Sequence, residues 1–200
     1  MERKLLELAK SRKTVRWFRA EVPPREDLLY AIEVAKEAPS GMNAQPWHFL
    51  VVDEPKLKEE IRAACEAAER VFYGRVSGKW RQWLTERNFS PEKPFLSGAP
   101  YLILVFAKAT APFWLQSSWL AVGYLLLALE ERGLGTVTYT PPDPKAIAKL
   151  VGAPSDYKLQ TILPVGYPDD PKPKYPRKGL REVTSFNRFT LGSQGSRQGG

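Results

Sequence analysis

The fold of this chain is decided by residues 101–129, which read YLILVFAKATAPFWLQSSWLAVGYLLLAL. Residues 101–107 are a short apolar run, which predicts a buried strand. Residues 113–129 are also apolar and end at a charged Glu-Glu-Arg sequence, so they predict a buried helix. This helix contains the polar side chains of Gln116 and Ser117 and is shorter than the roughly 20 apolar residues of a membrane span. The stretch therefore predicts a strand and a helix inside a globular core.

The flanking sequence predicts further helices and strands on both sides of this stretch. Helices are expected at residues 2–10, 25–37, 55–73 and 144–151, and core strands at residues 47–52, 135–140 and 159–165. Residues 74–98 have poor periodicity but are rich in tryptophan and phenylalanine, which predicts an ordered flap with some helix. Residues 192–200, GSQGSRQGG, predict a flexible tail. Strands separated by helices indicate α/β or α+β layers in which helices cover a central sheet.

Length and composition limit the class of protein. A chain of 200 residues, with 43% hydrophobic and 26% charged residues, is typical of one soluble domain and excludes a disordered or fibrous protein. The net charge of +8 indicates an anionic partner: nucleic acid, a membrane surface or a phosphorylated small molecule. One cysteine, Cys65, and one histidine, His48, exclude a Cys/His zinc site, and we expect no metal. The N-terminus lacks a secretion signal, so we expect a cytoplasmic protein.

Four segments have side chains that suit ligand binding, and the first is SRKTVRWF at residues 11–18. In an extended conformation Arg12, Thr14 and Arg16 share a face and converge on one anion such as a phosphate. A solvated charged face is the alternative interpretation. The second segment, APSGMNAQPW at residues 38–47, has short side chains that let the backbone approach a flat ligand, or it is simply a turn.

The other two segments come later in the chain. Residues 133–141, GLGTVTYTP, are a strand that ends in a hydroxyl beside a proline. Residues 164–168, PVGYP, end the last strand and lead into four cations: Lys172, Lys174, Arg177 and Lys178. Neither a GxGxxG sequence nor a P-loop is present, which argues against a Rossmann-type nucleotide site.

Together and in this order, the four segments resemble the FMN-dependent nitroreductase superfamily over about residues 11–181. The resemblance implies an α+β fold of three α/β/α layers, in which helices cover a central mixed sheet. It also implies an intertwined homodimer that binds FMN at the subunit interface. The chain is then a single FMN-binding domain over residues 1–191 with a lid at about residues 69–98.

The resemblance also implies which residues bind the cofactor. Those at the phosphate and ribityl end are Arg12, Lys13, Thr14, Arg16 and Arg177. Those along the isoalloxazine are Pro39, Ser40 and Gly41. Those near its N5 edge are Thr138, Tyr139 and Thr140, of which Thr140 is the implied catalytic residue and donates a hydrogen bond to N5.

Within this superfamily the lid is most similar to that of the iodotyrosine deiodinases, which hold an amino acid over the flavin with a Glu, a Tyr and a Lys. Here Glu69 and Tyr73 are four residues apart on one helix face, and Lys93 follows in the flap. Met42 stands where the deiodinases have a small residue near the substrate ring. A zwitterion needs one anion, one cation and a hydroxyl, and an aromatic flap excludes water. The alternative is that Glu69 and Lys93 are surface charges and Tyr73 is a packed aromatic.

The resemblance thus implies reductive dehalogenation of halogenated tyrosine or a similar phenolic amino acid. A second interpretation is an NAD(P)H-dependent nitroreductase or flavin reductase that acts on nitroaromatics and quinones, and a third is a basic nucleic-acid-binding module. The Glu/Tyr/Lys set favours the first, because a promiscuous reductase does not need to hold a zwitterion. We expect NAD(P)H or a reductase as electron donor and neither a nucleic acid nor a membrane as partner.

Overall fold

The structure, a computed structural model, describes residues 4–189. The predicted start of the first helix at residues 2 and 3, the predicted domain end at residue 191 and the predicted flexible tail at residues 192–200 lie outside the described residues. Among the helices of residues 4–189, none has both the length and the apolar character that a bilayer crossing requires.

Within this range the α-helices lie close to their predicted positions. They are α1 (Lys4–Ser11), α2 (Arg25–Lys36), α3 (Pro55–Arg75), α4 (Gly78–Glu86), α5 (Phe95–Gly98), α6 (Trp114–Glu131) and α7 (Pro144–Leu150). Prolines begin α3 and α7 at the first turn, where a missing N–H is tolerated. The carboxylate of Asp143 caps α7 by accepting from the backbone N–H groups of Lys145 and Ala146. Because α4 and α5 lie in residues 74–98, the expectation of helix within the flap is confirmed.

A single sheet contains β1 (Trp47–Val52), β2 (Tyr101–Lys108), β3 (Gly135–Thr136) and β4 (Tyr157–Gly166) in the order β1-β2-β4-β3. All three neighbouring pairs are antiparallel, so the predicted mixed sheet is wrong for these strands. Within residues 4–189, the one parallel contact outside these strand pairs is an isolated bridge between Thr14 and Thr136.

The side chains of β2 alternate between the two faces of the sheet and fill a core on each side. Ile103 and Val105 pack with residues of α2 and α6. Leu102 and Leu104 pack with residues of α3, α5 and α7. All seven residues from Tyr101 to Ala107 are buried, as predicted. The three-layer α/β/α arrangement of an α+β domain is therefore confirmed.

Two predicted strands differ from the structure. β1 is an edge strand that pairs with β2 alone, and Val52 is its one buried residue, so its apolar run does not mark a buried strand. The strand predicted at residues 135–140 is regular only over Gly135–Thr136. Beyond it, Tyr139 contacts β4 through a single bridge to Ile162, while the side chains on either side of Tyr139 face solvent.

The apolar helix α6 is enclosed on one side only, which the sequence did not predict. Its inner side chains pack against α2 and the sheet. Four large apolar side chains on the rest of its surface are 39–47% exposed: Leu115, Trp119, Leu120 and Tyr124. Exposed apolar faces of this kind are typical of surfaces that bind another molecule.

Candidate functional site

Two segments rich in cations, residues 12–16 and 172–178, lie side by side at one end of the sheet. The backbone N–H of Asp169 donates to the carbonyl of Trp17 at 2.9 Å. The Nζ of Lys13 donates to the carbonyls of Asp170 at 2.5 Å and Lys172 at 2.9 Å. Lys13 thus joins the two segments, although the sequence predicted it as a cofactor ligand.

The carboxylate of Asp170 is buried between these segments. Its Oδ2 accepts the backbone N–H of Arg16 at 2.8 Å, and its Oδ1 accepts the backbone N–H of Lys172 at 2.9 Å. Nearby, the Nζ of Lys174 donates to the carbonyls of Ala9 and Lys10 at the end of α1. The ammonium groups of Lys13 and Lys174 thus donate hydrogen bonds to backbone carbonyls. This use of the lysines argues against a continuous basic surface that binds nucleic acid.

Arg12 has an unusual environment within this group, because its Nε and Nη2 are buried and have no hydrogen-bond partner among the described residues. Burial lowers the pKa of Arg12, Glu130 opposes that shift, and the nearby charge of Arg177 adds to it. Two buried guanidinium nitrogens without hydrogen-bond partners are costly, and the charge of a second cation nearby increases the cost. An anion with several acceptor oxygens, such as a phosphate, would satisfy both groups. Arg12 and Arg177 therefore fit a phosphate site.

Arg16 connects the same region to the flap. Its guanidinium lies 5.7 Å from the centre of the Phe89 ring, a cation–π contact. Phe89 stacks on Trp83, with ring centres 5.6 Å apart, and Trp83 meets Trp80 edge-on. The predicted aromatic flap therefore exists as a chain of rings that begins beside the basic segment.

The loop between α2 and β1 has the tight backbone that its small residues suggested. The N–H of Gly41 donates to the Oγ of Ser117 on α6, and a Cβ at Gly41 would lie 2.4 Å from the Phe113 ring. The Oγ of Ser40 accepts the N–H of Gln45, which closes the turn. Pro39 and Met42 are exposed, and Met42 has a φ of 53°. The loop thus presents its backbone and one face of small side chains to solvent.

Residues 138–140 present their side chains alternately to opposite sides. Thr138 and Thr140 are exposed, whereas Tyr139 is 8% exposed and points into the core beneath α3. The backbone N–H and carbonyl of Tyr139 both bond to Ile162. The backbone polar atoms of Tyr139 are thus already hydrogen-bonded within the protein. Of the three residues predicted at the flavin edge, Thr138 and Thr140 have exposed side chains.

The predicted substrate-binding residues of the lid lie together. Glu69 on α3 and Lys93 before α5 are both buried, and Lys93 Nζ lies 3.5 Å from Glu69 Oε2. The same ammonium lies 5.6 Å from the centre of the Tyr73 ring. Glu69 and Lys93 are therefore not surface charges. Met42 remains apart from this group as an 83% exposed side chain.

The electrostatics of this buried group follow from its low exposure. Burial lowers the pKa of Lys93, and the charge and hydrogen bond of Glu69 oppose that change. Burial also raises the pKa of Tyr73, and Glu69 adds to the increase. Cys65, one turn before Glu69, is buried, and desolvation raises the pKa of its thiol to about 12. The group therefore contains neutral hydroxyl and thiol side chains around one anion and one cation.

Two residues that matter here were missed by the sequence analysis. Asp170 lies one residue before the basic stretch, and an acid next to clustered cations was the available signal. Glu66 lies one turn before Glu69 and accepts from Arg62 Nε and from the backbone N–H of Lys93, both at 2.8 Å. Its i, i+4 spacing from Arg62 was visible in the sequence.

Comparison with known proteins adds independent evidence. The family described as Nitroreductase family matches residues 9–167. Iodotyrosine deiodinase of Thermotoga neapolitana is 59% identical over 92% of this chain and 98% of that protein. Iodotyrosine deiodinase of Haliscomenobacter hydrossis is 38% identical over 78% of this chain and 76% of that protein. A crystal structure of oxidized iodotyrosine deiodinase bound to FMN and 3-iodo-L-tyrosine matches with a TM-score of 0.88 and 59% identity, covering 92% of this chain and all of that one.

The role of Asp170 can be tested with Asp170→Asn. The amide keeps one acceptor oxygen but replaces the other with an NH2 group, so one of the two backbone N–H groups loses its acceptor. We expect the free energy of unfolding to fall by about 1–3 kcal/mol, as measured by urea denaturation. Asp169→Asn is the matched control, because the neighbouring carboxylate is exposed and has no side-chain bond among the described residues. Equal losses in the two variants would contradict this role.

Proposed function

Because this chain belongs to the nitroreductase family, and within it to the iodotyrosine deiodinases, we propose that it is an FMN-dependent oxidoreductase that removes halogen reductively from halogenated tyrosine or a similar phenolic amino acid. The observation that carries the proposal is the buried Glu69–Lys93 pair beside Tyr73. Similarity of 59% over nearly all of a deiodinase supports it. A reductase without a zwitterionic substrate would have no use for such a pair.

The residues present fit FMN. The unpartnered Nε and Nη2 of Arg12, together with Arg177, would bind the phosphate, and Arg16 with Thr14 would complete that end. Ser40 and Gly41 would lie along the ring, where the close packing of Gly41 on Phe113 leaves no room for a side chain. Thr138 and Thr140 would meet the ring edge with their exposed hydroxyls. When bound, FMN supplies the reducing electrons, which we expect to come from NAD(P)H or from a reductase.

The ammonium and carboxylate groups of the substrate would bind by replacing the contact between Glu69 and Lys93. Without substrate, Glu69 and Lys93 neutralise each other across 3.5 Å. A zwitterion that enters between them brings its ammonium to Glu69 and its carboxylate to Lys93, so neither buried charge loses a counter-ion. Tyr73 adds a hydrogen bond from its phenol, and the flap excludes water. These groups orient the phenol ring over the flavin, which is a positioning effect.

We further propose a homodimer. One side of α6 exposes large apolar side chains to solvent. Four more large apolar side chains, near the end of the described chain, are 74–86% exposed: Tyr175, Leu180, Phe186 and Phe189. A second copy of the chain would bury both surfaces, as expected for an obligate interface. A flavin near Arg12 and Arg177 would then be enclosed by two subunits.

The phosphate site is tested by Arg12→Met. Charge-assisted hydrogen bonds of about 1.5–3 kcal/mol would be lost, so FMN affinity should fall by roughly 10- to 150-fold, measured by titrating apoprotein with FMN. Without FMN, the variant should be at least as stable as the wild type, because no bond within the protein is lost at Nε or Nη2. Arg19→Met, an exposed cation on the same segment, is the control. Unchanged FMN affinity in Arg12→Met would refute the assignment.

The lid is tested by Glu69→Gln and Lys93→Ala. Each variant leaves a buried charge unpaired, at a cost of about 2–5 kcal/mol, so iodotyrosine should bind roughly 30-fold or more weakly. Flavin-fluorescence quenching measures this, and reduction of a simple nitroaromatic should scarcely change. Glu59→Gln, an exposed carboxylate on the same helix, is the matched control. If wild-type protein bound iodotyrosine and iodophenol equally well, a general reductase would be the better conclusion.

The dimer is tested by sedimentation equilibrium. The wild type should sediment at twice the mass of one chain, and Leu120→Arg should dissociate it because a charge on an apolar interface is costly. Leu150→Arg, an exposed apolar site on α7, should remain dimeric. A wild-type monomer that retains FMN would exclude the shared site.

A further inference from the structure

We infer that Tyr139 is a positioning residue for Glu69, which it holds so that one carboxylate oxygen remains available for the ammonium group of the substrate. This inference rests on the proposed function. It assigns Tyr139 to the substrate side of the site, although the sequence placed it at the flavin edge.

The backbone of Tyr139 is fixed on the sheet. Its N–H donates to the carbonyl of Ile162 at 3.0 Å, and its carbonyl accepts the N–H of Ile162 at 2.8 Å. The same carbonyl also accepts the hydroxyl of the fully buried Thr161 at 3.0 Å. Three hydrogen bonds therefore fix the point from which the side chain starts.

The ring of Tyr139 is fixed as well. It meets Phe95 of α5 edge-on, with ring centres 5.7 Å apart, and belongs to the core cluster that contains Cys65 and Ile61 of α3. The side chain crosses from the sheet to α3, where its hydroxyl donates to Glu69 Oε1 at 2.9 Å. Burial and the adjacent Glu69 raise the pKa of Tyr139, so the phenol keeps the proton that it donates.

This hydrogen bond divides the Glu69 carboxylate between two partners. Oε1 is bound by Tyr139, and Oε2 lies 3.5 Å from Lys93 Nζ. The ammonium of Lys93 also donates to the carbonyl of Ser90 and lies 5.9 Å from the centre of the Tyr139 ring. With Oε1 occupied, Lys93 pairs with one oxygen only, and an incoming ammonium has a single contact to displace.

Loss of the phenol hydroxyl would change this balance. The carboxylate could then rotate and present both oxygens to Lys93, and a substrate would have to break a stronger pair. The orientation of Glu69 would also be lost, which weakens a contact that depends on geometry. A phenol without the amino acid group makes no contact with Glu69, so its binding would not depend on Tyr139.

The test is Tyr139→Phe in the FMN-bound protein, which keeps the ring and its packing. Iodotyrosine should bind about tenfold more weakly, by flavin-fluorescence quenching, while iodophenol and FMN bind as in the wild type. A purely structural role would lower the melting temperature and weaken all three ligands alike. Tyr101→Phe is the matched control: Tyr101 is 4% exposed, and its hydroxyl donates to the carbonyl of Pro23 at 2.9 Å on the opposite side of the sheet.

A double-mutant cycle separates the hydrogen bond from any general loss of stability. In a Glu69→Gln background, Tyr139→Phe should cost little further iodotyrosine affinity, because the group it positions has already lost its charge. If the ratio of iodotyrosine affinity to iodophenol affinity were the same in Tyr139→Phe as in the wild type, this inference alone would be overturned. If the wild type had no such preference, the proposed function would fail first.

Discussion

One buried carboxylate, that of Asp170, lets two strongly cationic parts of the chain lie side by side. It accepts backbone N–H groups from Arg16 and Lys172, one from each part. Around it the ammonium groups of Lys13 and Lys174 bond to backbone carbonyls across the same junction. The arrangement fixes the backbone on both sides of Arg12 while its guanidinium keeps two unpartnered nitrogen atoms. The protein therefore uses most of its local cations for structure and leaves a few for an anionic ligand.

Two further buried carboxylates, on consecutive turns of α3, fix the end of the lid. Glu66 accepts the backbone N–H of Lys93, and Glu69 faces the ammonium group of the same residue. Lys93 is thus held at both its backbone and its side chain. Each charge in this apolar layer has a partner, which is the condition under which buried charges are tolerated. The geometry of the Glu69–Lys93 pair is therefore preorganised.

The sequence predicted the helices and the central strand well because periodicity and proline positions report local structure. It predicted less where burial depends on distant neighbours. The apolar residues of β1 resemble a central strand, yet their place at the sheet edge is set by the strand order. Arg12 and Arg16 were found from their spacing and Arg177 from the family resemblance, whereas Asp170 was missed because its importance comes from contacts made far along the chain. Tyr139 was assigned to the flavin edge by the family resemblance, as one of residues 138–140, although period-two alternation places its side chain on the other face from Thr138 and Thr140.

The charge of the lid cluster explains how this site can select its ligand. Glu69 and Lys93 sum to zero, and so does a zwitterion, so entry of an amino acid leaves the buried total unchanged. An amine or a carboxylic acid would add one unpaired charge to a region that excludes water, and the cost of that charge is larger than the gain from one new contact. In the proposed function, ligands that carry a net charge are therefore disfavoured, and a neutral phenol differs from a zwitterion in making no ion pair with Glu69 or Lys93. The hydrogen bond of Tyr139 to Glu69 Oε1 preserves this selection, because it prevents the two clamp residues from closing completely on each other. In the proposed function, residues 138–140 would thus supply hydroxyls to the flavin edge through Thr138 and Thr140 and, between them, a phenol that bonds to Glu69.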